Sequence, residues 1–152
     1  MSSPISPRFA ETPRRAVLLL PLATLPARAQ EESFTAAERA LLAGRVPVDG
    51  GITLDIPTLS ENGNSVDLSV RVDSPWTVQD HITAIHVLSE RNPVPRVASF
   101  HLSHRAGRAE IATRIRLATT QQVTVLAETS RGQVHRASRE VIVILGACVE
   151  GG

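Results

Sequence analysis

Cys148 is the only cysteine in a chain of 152 residues. A thiolate makes and breaks sulfur–sulfur bonds reversibly, so a single thiol already defines a narrow range of chemistry. It stands in the run Ile144-Leu145-Gly146-Ala147-Cys148-Val149-Glu150-Gly151-Gly152, where glycine or alanine fills four of the last seven positions. A segment with so little side chain has nothing to pack. Residues 146–152 are therefore expected to form a flexible arm, with Gly146, Ala147, Gly151 and Gly152 as spacers and Cys148 as its reactive group. A catalytic nucleophile needs fixed neighbours that orient and deprotonate it. No convincing partner base accompanies Cys148, and the sequence contains no G-x-S-x-G elbow, P-loop or H-E-x-x-H motif. The thiol is thus expected to be acted upon, and the chain not to be an enzyme. Its uses stay open at this point: covalent attachment of a group, an interchain disulfide, oxidant sensing, or none. Sensing through a disulfide within the chain would need a second thiol, which the sequence does not offer.

The remaining candidates are weaker. His101-x-x-His104 has His81 and His86 nearby in sequence. A zinc site needs three or four converging ligands, and a pair at the end of a strand does not make one. These side chains are expected to be ordinary strand and loop histidines, with no metal and no cofactor. Arg105, Arg108, Arg114 and Arg116 form a local basic group that would attract anions, but interspersed carboxylates make it read as a solvated sheet face. All 16 basic residues are arginine against 15 acidic ones, a net charge of +1. That near-balance argues against a nucleic-acid binder. Aromatic residues make up only 3% of the chain, with no tyrosine, which leaves no stacking platform for bases.

Residues that position a terminal thiol must come from the body before it. "SFTAAERALLAG" predicts a short helix, with Thr35 as N-cap, Glu38 completing a capping box and Gly44 as the stop. Leu41 and Leu42 would dock it. From Ile52 the pattern changes to period two. "ITLDI", "SVDLSVRV", "HITAIHVLSE", "VASFHLS", "EIATRIRLA", "QVTVLAE" and "VHRASREVIVIL" predict about seven strands. The third is apolar on both faces and is expected to be central; the last leaves room for a break near Ser138. "ENGN", "RNPVPR", "HRAGRA" and "SRGQ" supply turns. Seven short strands with regular turn signals predict an all-β fold, an immunoglobulin-like antiparallel β-sandwich, without the Cys…Trp…Cys pattern of antibody domains.

The first 29 residues have a different character. Arg14-Arg15 precede "AVLLLPLATLP", and Ala27-Arg28-Ala29 follow. A basic start, a short apolar stretch and an A-x-A end predict a secretory signal. The apolar run is well short of the roughly 20 residues that span a bilayer. The paired arginines point to the twin-arginine route, although Ala16-Val17 follow them where a polar residue and Phe-Leu are usual. The expected organisation is a signal peptide over 1–29, a helix and linker over 30–49, the sandwich over 50–145 and the arm over 146–152. Export implies a periplasmic protein, free of the membrane after cleavage. In an oxidising compartment an unpaired cysteine indicates an intermolecular bond or a reactive free thiol.

Several stretches together carry a resemblance: "LDIPTLSENGNSVDLSVRVDSPWT", "HITAIHVLSERNPVPRVASFHLS", "AEIATRIRLATTQQVTVLAETS", and a terminal cysteine after a hydrophobic strand. In these the chain resembles SoxY, the sulfur-carrier subunit of the bacterial thiosulfate-oxidising Sox system. The resemblance implies an immunoglobulin-like sandwich that forms a heterodimer with a second sandwich, SoxZ. It implies a cysteine, Cys148 by position, that carries thiosulfate-derived sulfur between enzymes. SoxAX would load it by oxidative coupling, SoxB would release the terminal sulfone as sulfate, and in some systems SoxCD would oxidise the outer sulfane. An alternative within the same resemblance is a divergent interaction module whose cysteine forms an interchain disulfide with its partner. The tail departs from the family ending, Gly-Gly-Cys-Gly-Gly. Ala147 replaces one glycine, and Val149 and Glu150 intervene before Gly151-Gly152. Glu150 brings a carboxylate within two residues of the thiol, which disfavours both a thiolate and an approaching anion, less so in salt.

Overall fold

A computed structural model describes residues 32–147 of the chain. It is a two-layer sandwich behind one short helix. The elements run α1 (Phe34–Leu42), β1 (Val48–Asp49), β2 (Ile52–Asp55), β3 (Leu59–Asn62), β4 (Val66–Val72), β5 (Ile82–Ser89), β6 (Arg96–His101), a 3-10 turn (His104–Ala106), β7 (Ala109–Ile115), β8 (Gln121–Thr129) and β9 (Val134–Leu145). The larger sheet has the order β1-β9-β8-β5-β6, with β3 also on β9; the smaller has the order β2-β4-β7. The immunoglobulin-like sandwich expected from the alternating runs is the fold observed.

The alternation explains the layers. Val66, Leu68, Val70 and Val72 of β4 are all buried, while Asp67 and Arg71 between them are exposed. Their apolar face meets Ile85 and Val87 of β5, Val123 and Val125 of β8, and Val141 and Val143 of β9 across the core. Each large apolar side chain buried this way contributes about 1.5–3 kcal/mol. β5 is internal to its sheet, between β8 and β6, and apolar on both faces because α1 covers the other one. Ala37 of the helix packs on Leu88, Leu126 and Val134, with Phe34, Leu41 and Leu42 around them.

Three local expectations are corrected. The helix is capped by Ser33, whose Oγ accepts from the Ala36 N–H at 3.2 Å. Thr35 lies inside the first turn instead, and Glu38 is turned to Arg136 at 2.9 Å. Capping from Ser33 brings Phe34 into the helix, where it packs on the group of Ala37, Leu88, Leu126 and Val134. The stop comes one residue before Gly44: Ala43 itself is left-handed, at φ 49°, and donates to the Arg39 carbonyl at 3.0 Å. Arg45 then covers the carbonyls of Leu41 and Leu42 from its side chain and pairs with Glu128.

The second correction concerns strand number and direction. Seven strands match the alternating runs, and two more, β1 and β3, are short and lack alternation. Both pair parallel to β9, β1 at His135 and Arg136 and β3 from Ile142 to Leu145. The sandwich is therefore antiparallel apart from these two contacts. β1 also falls inside the stretch expected to be linker. Thirdly, β9 runs unbroken past Ser138, because β8 pairs with it continuously from Val134 to Val141. The turn before it is tight: Gly132 stands at φ 83° and its N–H reaches the Thr129 carbonyl at 3.0 Å. Among the described residues no helix is long and apolar enough to cross a membrane.

Candidate functional site

The thiol singled out by the sequence, Cys148, lies outside the described residues, as do Gly151, Gly152 and the expected leader. What the structure defines is the place from which the chain reaches that thiol. The ladder between β8 and β9 ends at Gln121 and Val141. Beyond it β3 takes over, with Leu59 opposite Ile142, Ser60 opposite Val143 and Asn62 opposite Leu145. Val143 still points into the core, and Thr120 Oγ1 accepts from its N–H at 3.0 Å.

Past Leu145 the backbone is held by two other segments. Gly63 donates to the Leu145 carbonyl at 2.8 Å, and Leu117 donates to the Gly63 carbonyl at 2.8 Å. Ala147 donates to the Leu117 carbonyl at 3.0 Å and is only 7% exposed. A side chain on Gly146 would collide with the Ala118 carbonyl. Gly146 and Ala147 were expected as spacers of the arm, and this is corrected: both are seated against the body. The reason is that a glycine and an alanine are small enough to lie under the loop after β7, where backbone donors and acceptors await them. Small residues here serve close approach.

Four of the five histidines fall into two pairs. His81 and His104 have ring centroids 6.0 Å apart, and Trp76 lies 6.1 Å from His81. Trp76 is held by its indole N–H on the His104 carbonyl at 2.8 Å, and its backbone is left-handed at φ 51°. This cluster lies where β5 begins, at the opposite end of the sandwich from the chain exit. His86 and His101 form the second pair, 6.0 Å apart on β5 and β6. His86 is buried, with Nδ1 2.8 Å from Ser99 Oγ and Nε2 3.3 Å from Glu128. Burial pushes its imidazole below the ordinary histidine value, against the opposing pull of Glu128. Among the described residues no three ligand-type side chains converge on a point that would hold a metal.

The arginines lie among carboxylates on solvent-facing strands. Arg114 pairs with Asp67 at 2.9 Å, and Arg108 and Arg71 both reach Glu110. Such exposed pairs contribute little to stability. A depression of about 410 Å³ on the outer face of the small sheet is lined by Asp55, Asp67, Ser69 and Arg114 among others. Its single guanidinium is already paired with Asp67.

The sequence reading missed the residues that brace the exit. Gly63 reads there only as a turn former, and Asn92 only as part of a proline-rich loop. Asn92 Oδ1 in fact accepts from the Ala118 N–H at 3.0 Å and from Gln121 Nε2 at 2.8 Å. The one available signal was Gln121, an uncharged polar residue at the head of the run that leads into Val123 and Val125.

The family model described as "Sulfur oxidation protein SoxY" matches residues 38–148. Among solved structures, the sulfur carrier protein SoxY from Chlorobium limicola f thiosulfatophilum is similar at 30% identity and a TM-score of 0.59. The match covers 73% of this chain and 98% of that one. A superoxide reductase (neelaredoxin) from Ignicoccus hospitalis shares the fold at 12% identity and a TM-score of 0.55, over 62% of this chain and 80% of that one. Its E23A variant is similar at 13% identity and a TM-score of 0.56, over 75% and 90%. At such identities these two likenesses speak for the sandwich alone. No curated protein sequence matched. The family match spans most of the chain and runs through Cys148, so the chain belongs to the SoxY family of sulfur oxidation proteins.

Proposed function

We propose that this protein is a periplasmic, covalent carrier of thiosulfate-derived sulfur, with Cys148 as the attachment point. One observation carries the reading: the family match ends on the only cysteine of the chain, directly after a sandwich that closes at Ala147. Loading joins the cysteine sulfur to the outer sulfur of thiosulfate. The S–H bond breaks, one proton leaves, and two electrons pass to an acceptor, the haem protein SoxAX. The product is Cys–S–S–SO₃⁻. Water then cleaves the bond to the sulfone sulfur in SoxB, giving hydrogen sulfate and Cys–S–SH, and SoxCD oxidises the remaining sulfane where it is present. The carrier supplies no base, metal or electron acceptor to these steps. It keeps a small hydrophilic dianion from diffusing away between enzymes.

A SoxZ-like subunit completes the unit as a heterodimer. Leu59, Ile142 and Ile144 are 55%, 49% and 62% exposed beside the chain exit, and an apolar row of this kind supports a subunit contact there. Export by the twin-arginine route would deliver the folded protein to the compartment where the chemistry occurs; Arg14-Arg15 and Ala27-Arg28-Ala29 support it.

The test is mass. Protein purified without reductant from cells growing on thiosulfate is expected to carry sulfur-containing adducts on the peptide with Cys148, removable by a reductant. Cys148→Ser is expected to lack them and to stop thiosulfate consumption in a reconstituted system. Consumption that continues with the serine variant overturns the proposal. A stable interchain disulfide at Cys148 that never exchanges with thiosulfate would favour the interaction-module reading instead.

A further inference from the structure

The loop between β7 and β8 does more than connect two strands. It closes a circuit of backbone hydrogen bonds around the last described residues. Ala147 donates to Leu117, Leu117 donates to Gly63, and Gly63 donates to Leu145. The backbone is thus bonded on both sides of Gly146. Space is as restrictive as bonding. A Cβ on Gly63 would fall on the Leu117 carbonyl and lie 2.9 Å from Val143 and 3.0 Å from the Ala147 nitrogen. One on Gly146 would fall on the Ala118 carbonyl. Neither glycine has a positive φ, so it is contact that demands the missing side chain.

The loop is itself braced from behind. Besides its two acceptor bonds to Ala118 and Gln121, Asn92 donates through Nδ2 to the Arg116 carbonyl at 2.8 Å. Gln121, 2% exposed, donates to the Thr119 carbonyl at 3.1 Å and accepts from the Arg91 N–H at 2.8 Å. Two side-chain amides therefore hold the backbone at Arg116, Ala118 and Thr119. A polar network with its groups matched in this way, half-buried at Asn92 and buried at Gln121, selects one arrangement of what it touches. Nothing in a simple strand connection requires it.

We propose that the Arg116–Thr120 loop is an anchor that sets where the chain bearing Cys148 leaves the body, with Asn92 and Gln121 as its positioning residues. The proposal rests on the carrier reading. The anchor fixes the reach of the thiol. With Ala147 seated, Cys148 begins one Cα–Cα step of about 3.8 Å beyond it. Release of Leu145 to Ala147 would add on the order of 10 Å of chain, at about 3.3–3.6 Å per residue. A partner enzyme must then meet the anchor surface together with the tail.

Asn92→Ala in the full chain tests this, with Asn92→Asp as the conservative variant that keeps the acceptor for Ala118 and Gln121. Amide hydrogen exchange is followed by NMR, and thiosulfate turnover with the partner enzymes is split into kcat and KM. In Asn92→Ala the Ala147 amide is expected to exchange about tenfold faster, with Val87 and Val125 in the core unchanged. Asn92→Asp is expected to stay close to the wild-type rate, and KM for the carrier to rise in Asn92→Ala at constant kcat. Unchanged exchange at Ala147 overturns the anchor, as does equal acceleration at Val87 and Val125, which marks Asn92 as merely structural. Faster exchange with an unchanged KM overturns the positioning role and leaves the carrier reading standing. Failure of the carrier reading shows separately, in Cys148→Ser, whose Ala147 exchange the anchor predicts to be that of the wild type.

Discussion

His86 is the residue whose surroundings decide a measurable property of the fold. It sits buried between Ser99 and Glu128, with His101 and Arg96 close enough to disfavour its charge. Desolvation dominates, so the folded protein prefers the neutral ring and the value lies below the ordinary 6.5. The unfolded chain takes up a proton near 6.5 while the folded one resists it. The stability tied to His86 is therefore complete above 6.5, declines as pH falls from there towards the lower folded value, and is constant beneath it. The thermal midpoint is expected to fall as the pH is lowered through the ordinary histidine value, and His86→Gln to flatten that slope. An identical slope in the variant, read by circular dichroism, refutes the assignment. Single residues were the least legible level of the sequence. Gly63 and Asn92 act on backbone more than 20 residues away, and a turn signal says nothing of such partners. Cys148 could be singled out from the sequence because thiol chemistry is intrinsic to the side chain.

At the level of elements, α1 exists for its buried face more than for its own propensity. A nine-residue helix is too short to stand alone, and Leu88, Leu126 and Val134 give it a surface. Leu126→Ala removes a fully buried side chain beneath Ala37. It is expected to cost about 2–5 kcal/mol in urea unfolding, as for other large-to-small changes in a core. A loss below about 1 kcal/mol would mean that the helix collapses into the gap or adds little. The period-two runs exposed β4, β5 and β8 in the sequence, since one or both of their faces must be apolar. β1 and β3 could not be found that way. With 2 and 4 residues, they are defined by their partner β9 and carry no pattern of their own. The cap was misplaced for a related reason: Ser33 and Thr35 offer the same chemistry, and the cluster under Phe34 chose between them.

For the molecule as a whole, the exit lies beside an apolar row that a monomer would not need. Leu59 stands directly opposite Ile142, Ile144 follows on the same face, and Glu61 and Glu140 flank them. If this row seats the partner subunit, Ile144→Glu places a charge where interface cores exclude it. The dissociation constant for the partner is then expected to rise at least about tenfold with the thermal midpoint of the isolated chain unchanged. Calorimetric titration checks this, and unaltered affinity moves the interface elsewhere. The sandwich class was legible from the seven alternating runs, because packing two sheets face to face buries the apolar side of every such strand. Which strands are neighbours was not, since pairing depends on contacts between distant segments.

β9 lies inside the large sheet, with β8 on one side and both β1 and β3 on the other. It is also the last of the described strands to leave a ribosome. Until it emerges, the two short parallel strands have nothing to bond to and β8 presents an open flank. The large sheet is thus joined up only when β9 is in place, by the same stretch of polypeptide that leads into the cysteine.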